Sequence, residues 1–487
     1  MPPVSSRKFR SYFRATLQAL FFVGLGAIST IVAVAIFVIN KKPELSVWHQ
    51  THLDEEFTAQ SQITSLPGYL ALEGRLFAQL NSDVYNKIAD KERTDFNRYH
   101  SGSKSDPEIW PQNWNRTFEL AASEAPYGVL LLHGYSDSPY SLRKLGQMLH
   151  SDGAHVLGLR IPGHGTASSG LKHAVYEDMA AAVRLGMRHL RDQLADRPLF
   201  IIGYSNGGAL ATHYALTAIK DSKLPRPKGI ILLSPEIGVS PVAAFATWQA
   251  RIGDLLCLDK LAWNTVEPEY DPFKYGSFAV NAAEQVYRLT GAIQTQLDQL
   301  EKQGRLDRIP PILAFQSAVD ATVTARALLD GLFDRLKAGN HQLVIFDVNR
   351  IYEAQGLIKK PINLDILLSG PKRRYSVSVV TNRDDVDLTV IVRERLAGEE
   401  AAKLKEIGLA WPKDVYSLAH IALPFAPDDP VYGNDSASEN PGVRLGQLAL
   451  RGENRTLAIP NTAMTRQHWN PFHPFLSSRI RTFVADQ

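Results

Sequence analysis

The chain has 487 residues, 45% of them apolar and 21% charged, with a formal net charge of +3. Such a composition supports a sizeable globular core and excludes a chain dominated by disorder. Positive charge forms no block beyond the amino terminus, so nucleic acid is not an expected partner, and a single Cys257 excludes an intramolecular disulfide framework or a cysteine zinc site.

Arg7, Lys8, Arg10 and Arg14 precede an uncharged, mostly apolar stretch from Ala15 to Asn40 that Lys41 and Lys42 close. About 25 residues at a helical rise exceed the roughly 30 Å hydrocarbon core of a bilayer. Residues 15–40 are therefore expected to be a transmembrane anchor behind a cytoplasmic basic tail, residues 1–14. The excess of positive charge before the run puts the rest of the chain across the membrane, periplasmic in a Gram-negative cell. Ala33-Val34-Ala35 also has the form of a cleavage site, which would release a soluble protein. Residues 41–114 read as a stalk or amino-terminal extension, with a helix from Glu55 to Gln79 broken at Pro67-Gly68.

From Arg116 the pattern becomes short apolar runs alternating with helical ones. The runs are Thr117 to Ala121, Gly128 to Leu132, Val156 to Leu159, Pro198 to Ile202 and Gly229 to Leu233; the helices are Ser138 to Leu149 and Tyr176 to Leu194. Alternating strands and helices with nearly all-apolar strands predict an α/β fold, a mostly parallel sheet covered by helices on both faces. Sites in such sheets lie at the carboxyl ends of the strands.

Three segments fall at those ends. Gly203-Tyr204-Ser205-Asn206-Gly207-Gly208, between a strand and a helix, reads as a nucleophile elbow holding Ser205 above the sheet. The loop His133-Gly134-Tyr135 follows another strand, and the backbone N–H groups of Tyr135 and Asn206 are the expected oxyanion-hole donors. Pro162-Gly163-His164-Gly165 follows a third. His164 precedes the serine, against the order serine, acid, histidine of this arrangement, and is read as a structural turn residue.

Together these motifs, in this order and near these spacings, resemble the α/β-hydrolase superfamily, most closely its monoacylglycerol lipase, carboxylesterase and serine-aminopeptidase-like branch. The resemblance implies a hydrolase domain over residues 115–487 with a helical cap at about 239–308. Phe245, Trp248, Leu255, Leu256, Trp263, Tyr270, Phe273, Tyr275 and Phe278 in that span either line an acyl pocket or belong to the core. It also implies that Asp320, after the strand Ile312 to Gln316, is the acid of a triad; Asp347 is the rival, and Asp320 could instead cap a helix from Thr324 to Lys337. Val415 to Leu423 resembles the family's histidine segment, so His420 is the expected base, with His473 as competitor and a β-rich insertion at about 350–412 separating acid from base.

These residues imply a membrane-anchored serine hydrolase cleaving lipid or amphiphilic acyl esters through Ser205, His420 and Asp320, with no metal or organic cofactor. A non-catalytic binding or assembly protein of the same fold, an acyltransferase and a peptidase with the same triad are the alternatives. Asn-x-Ser/Thr sequences occur at Asn115, Asn434 and Asn454.

Overall fold

The computed structural model describes residues 6–238, 259–320, 322–351, 363–435, 439–446 and 467–487. The expectations for Phe245, Trp248, Leu255, Leu256, Cys257 and Asn454 lie outside these residues. The chain begins with one helix, α1 (Ser6–Lys41), along which Leu17, Leu20, Phe21, Phe22 and Val23 are exposed. Among the described residues, however, no helix is long and apolar enough to cross a membrane. The transmembrane anchor expected over 15–40 is thus not supported. The helix takes in the basic residues at both ends of that stretch.

After the short α2 (Val47–Gln50) comes α3 (Leu66–Asp83). The expected break at Pro67 is instead this helix's start. Ser65 caps it by accepting from Gly68 N–H, and a proline in the first turn has no intrahelical N–H to lose.

The apolar runs become strands: β1 (Phe118–Leu120), β2 (Gly128–Leu132), β3 (His155–Leu159), β4 (Leu199–Tyr204) and β5 (Gly229–Leu233), the last four buried along their whole length. A small ribbon, β6 (Trp263–Thr265) with β7 (Phe278–Ala279), stands apart from the main sheet. That sheet continues with β8 (Ile312–Ser317), β9 (Gln342–Phe346), β10 (Ser376–Asn382), β11 (Thr389–Arg395) and β12 (Lys403–Ala410). Its order is β1-β3-β2-β4-β5-β8-β9-β10-β11-β12. Pairing is parallel from β3 to β10 and antiparallel at the two edges.

Helices cover both faces. α4 (Arg143–Ser151) and the carboxyl-terminal helix His473–Ala485 bury Leu145, Leu149, Leu476, Ile480 and Phe483 against one. On the other, the short α5 (Gly170–His173) precedes α6 (Tyr176–Leu194) and α7 (Asn206–Lys220), which pack with the helix Val280–Lys302. Residues 350–412, expected as an insertion with a hairpin, supply β10, β11 and β12 of the main sheet. Val415 to Ala419 forms a buried segment that bends at Ser417 and makes a single β-bridge at Val415 in place of a strand, held by Asn349, whose N–H donates to Tyr416 O and whose Nδ2 donates to Val415 O. Asn115 lies fully buried with its Nδ2 donating to Pro272 O at 2.9 Å, so that side chain is engaged inside the protein.

Candidate active site

Parallel strands deliver residues to one rim, and three serines there, Ser136, Ser205 and Ser234, have positive φ angles of 61°, 54° and 42°. Each follows closely on the end of β2, β4 or β5. Non-glycine residues held in that region store strain, which the surrounding packing must overdetermine. At Ser205 the restraints are explicit: its N–H donates to Leu233 O at 2.9 Å, and its carbonyl accepts from Gly208, Ala209 and Glu236. The elbow needs its glycines for space. A Cβ on Gly207 would lie 2.0 Å from Leu132 O, and one on Gly203 would lie 2.3 Å from Gly207 O. Close approach of α7 to the end of β2 is what lifts the serine to the rim.

His420, buried at the start of a single 3-10 turn, places Nε2 3.1 Å from Ser205 Oγ and Nδ1 2.7 Å from Asp320 Oδ2. The two histidine contacts span 215 and 100 residues of sequence. Asp320 Oδ1 accepts from the N–H groups of Thr322 and Val323, and Oδ2 also accepts from Gln316 Nε2. Burial alone would raise the Asp320 pKa, but the His420 charge and these hydrogen bonds outweigh it and hold the carboxyl below its ordinary range. The following helix, Ala325–Gly331, is capped by Thr324, so Asp320 is not its cap.

The rival residues stand elsewhere in the hydrogen-bond network. Asp347 is held by Arg350 through Nε and Nη2, both at 2.8 Å, and by Thr381 Oγ1. His473 turns Nδ1 to Ser477 Oγ at 3.2 Å, and burial lowers its pKa to about 4. His164 lies in the turn after β3 with Nδ1 3.0 Å from Pro162 O, and burial lowers its pKa to about 4 as well. Its ring backs that of Tyr135, with centroids 5.2 Å apart. Among the described residues, neither the Tyr135 nor the Asn206 N–H donates to a backbone carbonyl of the surrounding turns.

The described part of the expected cap reaches this rim. Tyr275 N–H donates to Ser136 O at 2.8 Å, and Phe273 stacks on Tyr140 with centroids 4.0 Å apart. Trp263, Phe273 and Tyr275 are buried in packing, whereas Phe278 is part-exposed with its ring 6.2 Å from that of Tyr135.

Sequence reasoning missed Glu236. Its Oε1 lies 3.3 Å from Ser205 Oγ, and its buried Oε2 has no hydrogen-bond partner among the described residues. Burial raises its pKa to about 7; His420 and the Ser205 hydrogen bond oppose that rise, and Asp320 and Asp137 add to it. The legible signal was position, since Ser234-Pro235-Glu236 leaves β5 next to β4 at the rim that carries the serine.

Residues 124–349 match the family described as serine aminopeptidase, S33. A thermostable monoacylglycerol lipase of Bacillus sp. (strain H-257) is 26% identical over 42% of this chain and 74% of its own length. Phospholipase YtpA of Bacillus subtilis (strain 168) is 28% identical over 29% of this chain and 49% of its own, so the chain spans about half of that relative. Among solved structures, the monoacylglycerol lipase of Paleococcus ferrophilus has 19% identity and a TM-score of 0.37, covering 47% of this chain and 88% of that one. A soluble variant of the Saccharomyces cerevisiae monoglyceride lipase in complex with a substrate analogue has 17% identity and a TM-score of 0.36, covering 47% and 82%.

Proposed function

We infer that this chain, an α/β-hydrolase resembling the monoacylglycerol lipase and esterase branch and acting on esters, works through an acyl-enzyme on Ser205, with His420 as base and Asp320 as its partner. What supports this reading is one unbroken hydrogen-bond chain, 3.1 Å from Ser205 Oγ to His420 Nε2 and 2.7 Å from His420 Nδ1 to Asp320 Oδ2. An ionised Asp320 accepts from Nδ1–H and fixes the tautomer, which leaves the Nε2 lone pair for the serine proton. Oγ then attacks the ester carbonyl while the Tyr135 and Asn206 N–H groups receive the oxyanion. His420 passes its proton to the leaving alcohol, and water, deprotonated by the same imidazole, cleaves the acyl-serine.

The substrate class that fits best is an acyl ester with an apolar chain. The relatives' names point to acylglycerols and phospholipids, and the aromatic rings of Tyr135 and Phe278 flank the rim. A second reading, cleavage beside a free amino group, draws on the family description and on Glu236, whose buried carboxyl beside the nucleophile suits an ammonium.

Fluorophosphonate labelling of the purified full chain, followed by rates on monoacylglycerols of graded length and on aminoacyl anilides, tests both. Labelling at Ser205 and faster turnover of medium or long acyl esters are expected. Ser205→Ala lowers the rate by about 10⁴-fold or more, as loss of a triad nucleophile does. Unchanged hydrolysis in that variant removes the assignment, and turnover confined to the anilides selects the second reading.

A further inference from the structure

At the opposite end of the sheet from Ser205, three side chains from three elements converge. β1 is only three residues long and forms the sheet's outer edge, paired among the described residues with β3 alone. A strand that short has few ladder hydrogen bonds to hold it. Its middle residue, Glu119, brings Oε1 within 2.7 Å of Nε2 of His155, the first residue of β3, and within 2.6 Å of Nε2 of His189 in α6. The three potential ligand atoms all lie within 4.8 Å of one another. The histidine side chains are largely buried, 7% and 13% exposed, and that of Glu119 is 29% exposed, which leaves a solvent route to the cluster. One imidazole suffices to satisfy a carboxylate oxygen by hydrogen bonding. Here two converge on the same oxygen, while Oε2 has no partner among the described residues.

We propose that Glu119, His155 and His189 form a site for a zinc-type divalent transition metal ion, which clamps the edge strand β1 to β3 and α6. Two imidazole nitrogens and a carboxylate oxygen are the ligand set of open zinc sites, with water taking the fourth position, and they disfavour Mg²⁺ or Ca²⁺, which seek oxygen alone. Ligand atoms about 2.0–2.1 Å from a tetrahedral ion stand roughly 3.3 Å apart. Small rotations of the two rings and the carboxylate open the present contacts to that spacing. β3 runs parallel to β2 and β4, so His155 at its amino end and Ser205 beyond the carboxyl end of β4 lie at opposite rims. The ion is structural, and ester hydrolysis does not need it.

The test uses the full chain, stripped with chelator and dialysed, then titrated with ZnCl₂ by calorimetry and followed by thermal unfolding. One Zn²⁺ per chain and a midpoint that rises with Zn²⁺, but not with Mg²⁺ or Ca²⁺, are expected, since a ligand bound only to the folded state stabilises it. His189→Ala and Glu119→Gln weaken binding by at least about tenfold and abolish the rise, with ester hydrolysis unchanged. Should Glu119→Gln fail to fold, His189→Ala on the covering helix carries the comparison. Zn²⁺ binding of equal strength in His189→Ala, no change in midpoint, or an equal response to Mg²⁺ overturns the proposal.

Discussion

A serine hydroxyl has one hydrogen, and at Ser205 two acceptors compete for it: His420 Nε2 at 3.1 Å and Glu236 Oε1 at 3.3 Å. The protonation state of Glu236 decides which receives it. Protonated, Glu236 donates to Oγ and leaves the serine hydrogen for His420. Ionised, it accepts that hydrogen, draws it away from His420 and places negative charge beside the proposed oxyanion site. Burial raises the Glu236 pKa from 4.5 to about 7, so the productive form holds below about 7 and is lost as pH rises through it. Linkage has the same sign: the stability contributed by the protonated carboxyl is complete below its unfolded value and fades through about 7. The pH profile of kcat/KM therefore falls on the alkaline side of about 7 in the parent chain, and Glu236→Gln, which stays neutral, removes that fall. Superimposable profiles for the two proteins would show that Glu236 has no hold on the nucleophile.

At the scale of elements, the elbow is where sequence and structure agree most closely, because a strand, a strained serine and a helix start are set by local residues. Gly207→Ala tests how tightly. Its Cβ would meet Leu132 O at 2.0 Å, so α7 must retreat from β2. Overpacking of this kind costs about 1–3 kcal/mol, and a displacement of about 1 Å at a reacting group lowers the rate by about 100-fold. Thermal unfolding and ester turnover read the two effects separately; an unshifted midpoint with full turnover would mean that the turn has room to spare. Strands β2 to β5 were legible for a related reason, since burial on both faces demands uninterrupted apolar runs. The approach to His420 was not. Val415 to Ala419 has an apolar strand-like composition, but it bends at Ser417 and pairs only through a single bridge at Val415, with Asn349 taking up its carbonyls. β12 escaped notice because Lys403 to Ala410 lies largely exposed at an edge and lacks an apolar run.

For the whole molecule, the informative feature is what the amino-terminal extension does to the domain behind it. Arg160, fully buried after β3, is held by Glu73 of α3 through Nε at 3.0 Å and by Glu56 through Nη2 at 2.8 Å. Glu56 also accepts from Gly163 N–H at 2.8 Å, and so reaches the turn whose His164 ring backs Tyr135. These partners are 87 and 104 residues from Arg160 in sequence, and no local pattern announces a contact at that range. A buried guanidinium that loses one carboxylate keeps its desolvation and forfeits part of its compensation, a change that typically costs about 3–5 kcal/mol. With Glu56 still in place, Glu73→Gln falls at the lower end, about 3 kcal/mol, read as an earlier denaturant midpoint at unchanged slope. Glu55→Gln removes the exposed partner of Arg75 and shifts the midpoint by about 0–1 kcal/mol. Because Glu56 still holds Gly163, ester turnover in Glu73→Gln stays near the parent's at temperatures below unfolding. Equal midpoints for the two variants would mean that the extension lies on the domain without stabilising it.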